Sequence, residues 1–329
     1  MLEAVLPSLQ SIREPIAARL EEVQGDLAAM VRADYDRVDE VADYVAESAG
    51  KLLRPTLLLL ANEIGGNSSR HAVRLAAIVE LMHVATLVHD DSVDHSPTRR
   101  GRPTVNGRWS HQVAVIMGDY LYSRALVEIG RFGDVEAIQL LASASNRMSI
   151  GEMRQLSAHD ALSTTEDDYY RLCEDKTASL ISASCELGAM FGAPAHRGAL
   201  RRFGHHIGMT FQIIDDTLDY TAGEELTGKP SGLDLREHKV TLPLILALPR
   251  LSTEGRQAVR TLFANPRPSN EQLTGVIDLV AAAGGIEGAR SRAQTFAERA
   301  RGELAALPPA EPAVQALELA IGFILQRQR

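Results

Sequence analysis

The sequence predicts an all-α fold, a single domain over residues 1–329 built from about ten or more packed helices. Three observations predict it. Apolar residues recur at helical spacing almost from end to end. The chain is 45% hydrophobic but only 5% aromatic, and it lacks the Val/Ile/Thr/Tyr alternation that strands leave. The turn-forming stretches between periodic segments are short, too short to be domain linkers.

In chain order the periodic segments run roughly over 9 to 31, 38 to 46, 54 to 64, 70 to 94, 111 to 131, 134 to 158, 166 to 191, 196 to 221, 238 to 250, 254 to 264, 270 to 283, 286 to 306 and 310 to 326. They are separated by Ser96-Pro97-Thr98, Gly101-Arg102-Pro103, the Gly/Pro-containing segment 227–232, Asn265-Pro266-Arg267-Pro268 and Pro308-Pro309. No repeat of about 20–50 residues recurs, so a solenoid is excluded.

The net charge of -9 argues against general attraction to nucleic acid or an anionic membrane. Cys173 and Cys185 are too few for a disulfide framework and suit a reducing cytoplasm as small core residues. The N-terminal stretch lacks the basic and apolar regions of a signal peptide, which predicts a cytoplasmic protein. No uninterrupted run approaches the roughly 18 uncharged apolar residues of a membrane span. Stable membrane insertion is therefore not expected.

The first chemical anomaly is Asp90-Asp91-Ser92-Val93-Asp94, which ends an apolar helical run from Ala76 to His89. Asp90 and Asp94 lie one turn apart on one face, where their carboxylates repel unless a hard cation joins them. Acids also sit badly at the negative C-terminal end of a helix. One such cluster fits a solvated helix end equally well. The pattern returns, however, as Asp215-Asp216-Thr217-Leu218-Asp219 after Phe211-Gln212-Ile213-Ile214, with Gln212, Asp215, Asp216 and Asp219 on one stripe. Two facing acid clusters can hold several Mg²⁺ ions, which bind through few carboxylates plus substrate phosphates, so a diphosphate is the natural third party.

A diphosphate also calls for cations. Lys51 and Arg54 open a helix, Arg99 and Arg100 follow the first acid cluster, Lys176-Thr177 interrupts a helical segment, and Lys229 and Lys239 flank the loop after the second cluster. Singly each is an ordinary surface cation. Together, in this order around two acid clusters, they form a phosphate-binding pattern.

On these motifs the chain resembles the trans-isoprenyl diphosphate synthase family over nearly its whole length. GKxxRP, HxxxxxHDDxxD, RRGxPT, a KT pair, QxxDDxxD and a GK…K loop occur here in the family's order. The resemblance implies helices around a central apolar cavity and an Mg²⁺-dependent prenyltransferase with about three ions per site. It implies that Lys51, Arg54, His83 and Arg100 bind isopentenyl diphosphate. Asp90, Asp94 and Asp215 become the metal ligands, with Asp91, Asp216 and Asp219 completing the catalytic acids. Arg99, Lys176, Thr177, Gln212, Lys229 and Lys239 grip the allylic diphosphate, Lys176 counting also as catalytic. His95 and His238 stand where close relatives are expected to carry an acidic or small residue.

The implied reaction ionises the allylic C–O bond, the double bond of isopentenyl diphosphate attacks, and a proton leaves; no protein general base is assigned. Product length follows the depth of an apolar tunnel. Ala85 and Thr86, just upstream of Asp90, are small where short-chain members carry bulky aromatics, which implies an all-trans product above C20, for quinone side chains. A C20 synthase is the alternative. A terpene cyclase lacks need for the isopentenyl cradle, and a non-catalytic subunit of a heteromeric synthase typically loses motif acids. The resemblance further implies a homodimer, with transient membrane contact at product release.

Overall fold

Caps written into the sequence set several helix boundaries of the computed structural model, which describes residues 8–47, 50–66, 69–157, 163–221, 232–309 and 311–327. Ser110 caps the helix His111–Phe132, and Gly133, at φ 77°, closes it in left-handed conformation. Thr165 and Ser269 form capping boxes ahead of Glu166–Cys173 and Asn270–Ala282.

Two predicted helices prove to be interrupted. Pro15, which has no N–H to donate, turns the segment expected over 9 to 31 into Leu9–Arg13, a 3₁₀ turn Glu14–Ile16 and Ala17–Met30. The segment expected over 166 to 191 splits into Glu166–Cys173 and Ser179–Gly192 around a π-helical turn, Glu174–Ala178, that carries Lys176. Gly151 makes room for that turn, since a Cβ there would lie 2.7 Å from the Lys176 nitrogen.

The helix His71–Val93 is the spine of the first core cluster. It packs against His111–Phe132, Ala17–Met30 and Leu53–Glu63. By length and composition alone it could cross a membrane, but 67% of its apolar window is buried inside the protein, as in a core helix. Arg197–Thr221 joins the two core clusters: Leu200, Phe203 and Ile207 belong to the first, Met209, Ile213 and Ile214 to the second. Both cysteines are buried thiols.

Among the described residues extended structure is confined to two short antiparallel strands, Thr98–Arg99 and Arg102–Pro103, which the helical periodicity did not predict. Their turn is Arg100-Gly101, both left-handed at φ 51° and 76°. This hairpin fixes where Arg99 and Arg100 project.

Candidate active site

Two helix ends frame a cavity of about 1900 Å³. His71–Val93 brings Asp90 and Asp91, with Asp94 as its C-cap; the Asp94 N–H donates to the Asp90 carbonyl at 2.8 Å. Arg197–Thr221 brings Gln212, Asp215, Asp216 and Asp219. The walls face one another across a direct contact: Lys239 Nζ, from the loop beyond the second cluster, lies 3.0 Å from Asp94 and 2.7 Å from Glu237. Burial opposes the Lys239 charge, but Glu237 and Asp94 outweigh it and raise the pKa.

The six acids are not equivalent. Asp91 accepts from Arg99 Nε at 2.8 Å. Asp216 is held by neutral donors, the Tyr169 hydroxyl at 2.6 Å and the Gln212 amide at 2.7 Å, while the Thr177 hydroxyl donates to Gln212 at 2.6 Å. Asp219 accepts the backbone N–H groups of Leu233 and Asp234, each at 3.0 Å, and so starts the short helix Leu233–Arg236. Asp94 is paired with Lys239 and the half-exposed Asp215 with Arg327, 3.2 Å away, and all six acids line the cavity.

Burial pushes Asp90 up to about 6 against the opposing Lys176 charge, and pushes Asp216 up to about 7. A divalent cation would relieve this cost by neutralising what burial makes expensive. Among the described residues no three His, Cys, Asp or Glu side chains converge as a ready cage. The donor set fits a hard cation that completes its shell with water and phosphate oxygens. Lys176 pairs with Glu152 and donates to Gln155 at 3.0 Å, which aims its ammonium into the cavity from the π turn.

The same cavity holds the cations expected to bind a second diphosphate. Lys51 precedes the helix Leu53–Glu63, Arg54 stands in its first turn, and both line the cavity with His83 and Arg100. Gly50 admits the Arg100 guanidinium, because a Cβ there would approach it to 2.9 Å. Burial lowers Arg54 to about 10, with Glu80 opposing, and burial with the Arg54, Arg99 and Arg100 charges drives His83 far below its usual value, leaving a neutral imidazole. Lys51 is lowered by burial and by Arg327 and Arg100.

Of the two positions expected to govern the tunnel, Thr86 lines the cavity, whereas Ala85 is fully buried in the core and is not part of the lining. Lys229 lies outside the described residues. Sequence reasoning missed Glu80, Glu152, Tyr169 and Arg327. The last reaches back from the end of the helix Pro312–Leu325 to Asp215, 3.2 Å away, and stacks over Phe211. Leu52, His95, Arg100 and His238, the non-glycine residues with positive φ among those described, all stand in or beside this site.

A polyprenyl synthetase family model matches residues 35–280. An all-trans-nonaprenyl-diphosphate synthase (geranyl-diphosphate specific) of Rhodobacter capsulatus is 38% identical over 301 residues, 91% of this chain and 92% of that protein. Octaprenyl diphosphate synthase of Escherichia coli is 32% identical over 303 residues, 92% of this chain and 94% of its own length. A polyprenyl synthase from Caulobacter crescentus, crystallised with calcium and isoprenyl diphosphate, superposes with a TM-score of 0.93 at 31% identity, covering 98% of this chain and 99% of that one. Paired acid clusters across one cavity, an all-helical frame and near end-to-end similarity to these enzymes agree: the chain belongs to the polyprenyl synthetase family of prenyltransferases.

Proposed function

We propose that this enzyme is an all-trans polyprenyl diphosphate synthase, a single synthase domain that adds isopentenyl diphosphate to an allylic diphosphate and makes a product longer than C20. The observation that carries the reading is one cavity lined both by Asp90, Asp91 and Asp94 and by Asp215, Asp216 and Asp219, with Lys239 3.0 Å from Asp94. Support for the long product comes from the nonaprenyl and octaprenyl synthases among its relatives and from small Thr86 in the cavity wall.

Asp90, Asp94 and Asp215 would hold about three Mg²⁺ ions, which when bound supply Lewis-acid stabilisation of the departing diphosphate. Lys176, Lys239, Arg99, Thr177 and Gln212 orient the same group, and preorganised charge of this kind commonly dominates catalysis. Lys51, Arg54, Arg100 and neutral His83 hold isopentenyl diphosphate with its double bond toward the allylic carbon. The apolar wall beneath Asp90, including Val84 and Leu87, excludes water from the growing chain.

The same reading has the protein act in the cytoplasm as a homodimer, touching a membrane only to release product. Exposed Ile116, at 66%, and Val115, at 47%, on the long helix His111–Phe132 support a subunit interface.

The deciding experiment incubates the protein with labelled isopentenyl diphosphate, several allylic primers and Mg²⁺, followed by chromatography of the dephosphorylated products. Products beyond C20 are expected. A sharp stop at C20 overturns the long-chain reading, and the absence of any elongation overturns the enzyme class.

A further inference from the structure

Glu80 sits in the middle of the core helix His71–Val93, between fully buried Val79 and Leu81, and is itself only 4% exposed. A carboxylate in such a place is costly unless opposite charge compensates it. Burial pushes the Glu80 carboxyl up, and Arg54, Arg100 and Arg13 oppose that shift through charge without overcoming it, while Glu80 acts in return on Arg54 and Arg13. Arg13 also donates to the Lys51 carbonyl, so the cluster reaches the segment that carries Lys51. His83, three residues further on, shares the Glu80 face of the helix, and both line the cavity.

The network is not closed. Glu80 Oε2 and the Nε atoms of Arg13 and Arg54 are buried polar atoms with no hydrogen-bond partner among the described residues. One acceptor and two donors stand open in the same cluster, the pattern of a site whose hydrogen bonds tighten when substrate arrives.

We propose that Glu80 is a positioning residue for isopentenyl diphosphate, a buried counter-charge that keeps Arg13, Arg54 and Arg100 gathered toward that diphosphate. The inference rests on reading Lys51, Arg54, His83 and Arg100 as the cradle of that substrate. Without the carboxylate the guanidinium groups repel one another and lose their shared orientation.

The test is steady-state kinetics of Glu80→Gln, which keeps the shape and removes the charge, with Arg54→Gln as a control and melting temperature measured alongside. Glu80→Gln is expected to raise KM for isopentenyl diphosphate about tenfold or more, with KM for the allylic substrate and kcat within about twofold. Its melting temperature should stay level or rise, because a buried charge is gone. An unchanged KM for isopentenyl diphosphate overturns the proposal, as does a joint rise in both KM values with a lower melting temperature, which marks a purely structural role. If Arg54→Gln also leaves that KM unchanged, the cradle reading fails; if only Glu80→Gln does, the Glu80 inference fails alone. Should Glu80→Gln not fold, Glu80→Asp carries the same comparison. It keeps the charge but withdraws it by one methylene, so a smaller rise confined to the same KM is expected, and no rise overturns the proposal.

Discussion

Thr86 and Ala85 are neighbours in sequence with different surroundings. Four residues back from Asp90 a helix returns to nearly the same face, whereas five residues back it has turned away, so Thr86 meets the cavity and Ala85 meets the core. Thr86→Phe should therefore place a ring in the path of the chain and shorten the products seen by chromatography; unchanged lengths would remove Thr86 as a limit. Ala85→Phe should instead overpack the core, at a cost of about 1–3 kcal/mol in stability. For the metal-facing acids, Asp90→Ala or Asp215→Ala should lower kcat about a thousandfold while circular dichroism stays native. Near-normal turnover in either variant, or in wild type with EDTA, would refute metal-dependent catalysis. The acid pairs were legible from spacing alone. Which partner each acid takes was not, because the partners of Asp91, Asp216 and Asp219 come from a hairpin, from Tyr169 and from the backbone after Gly232, segments that helical periodicity does not connect.

At the scale of elements, long helices with strong caps were read to within a few residues, as with His111–Phe132 against the expected 111 to 131. The misses have local causes. Pro15 breaks the first helix, one extra residue per turn makes the π segment at Lys176, and strands of two residues are too short for any period to register. The helix Arg197–Thr221 also carries a titration far from the acids. Burial, with His205 beside it and Arg299 and Arg202 near, lowers His206 to about 4, and its Nδ1 is buried without a partner among the described residues. An unfolded histidine titrates near 6.5. Between these values the unfolded chain binds the extra proton, so the His206 contribution to stability is complete above about 6.5 and is lost as pH falls toward 4. The melting temperature of His206→Gln, taken relative to wild type, should therefore rise as pH is lowered from about 7 to about 5. A constant difference across that range would show that His206 is not held neutral.

Over the whole molecule, the two core clusters share Arg197–Thr221, so the wall that bears Asp215 is anchored on both sides. The outward apolar stripe of His111–Phe132, with Ile116 at 66% exposure and Leu126 and Val127 at 43%, is the face expected to meet a second subunit. On the homodimer proposal, Ile116→Asp should shift the protein from dimer to monomer in size-exclusion chromatography with light scattering; an unmoved elution would clear that face of the role. The left-handed backbone at Leu52, His95, Arg100 and His238 has a further consequence. Each such residue carries a conformational cost of roughly 1–3 kcal/mol, and Leu52, Arg100 and His238 line one chamber, with His95 next to Asp94 in the chain. Local opening should then begin there, well below the threshold for global unfolding. In deuterium exchange followed by mass spectrometry, peptides spanning these four positions should label before the spine helices, and pyrophosphate with Mg²⁺ should slow them most. The rim would behave as a pliable collar that stiffens around its cargo.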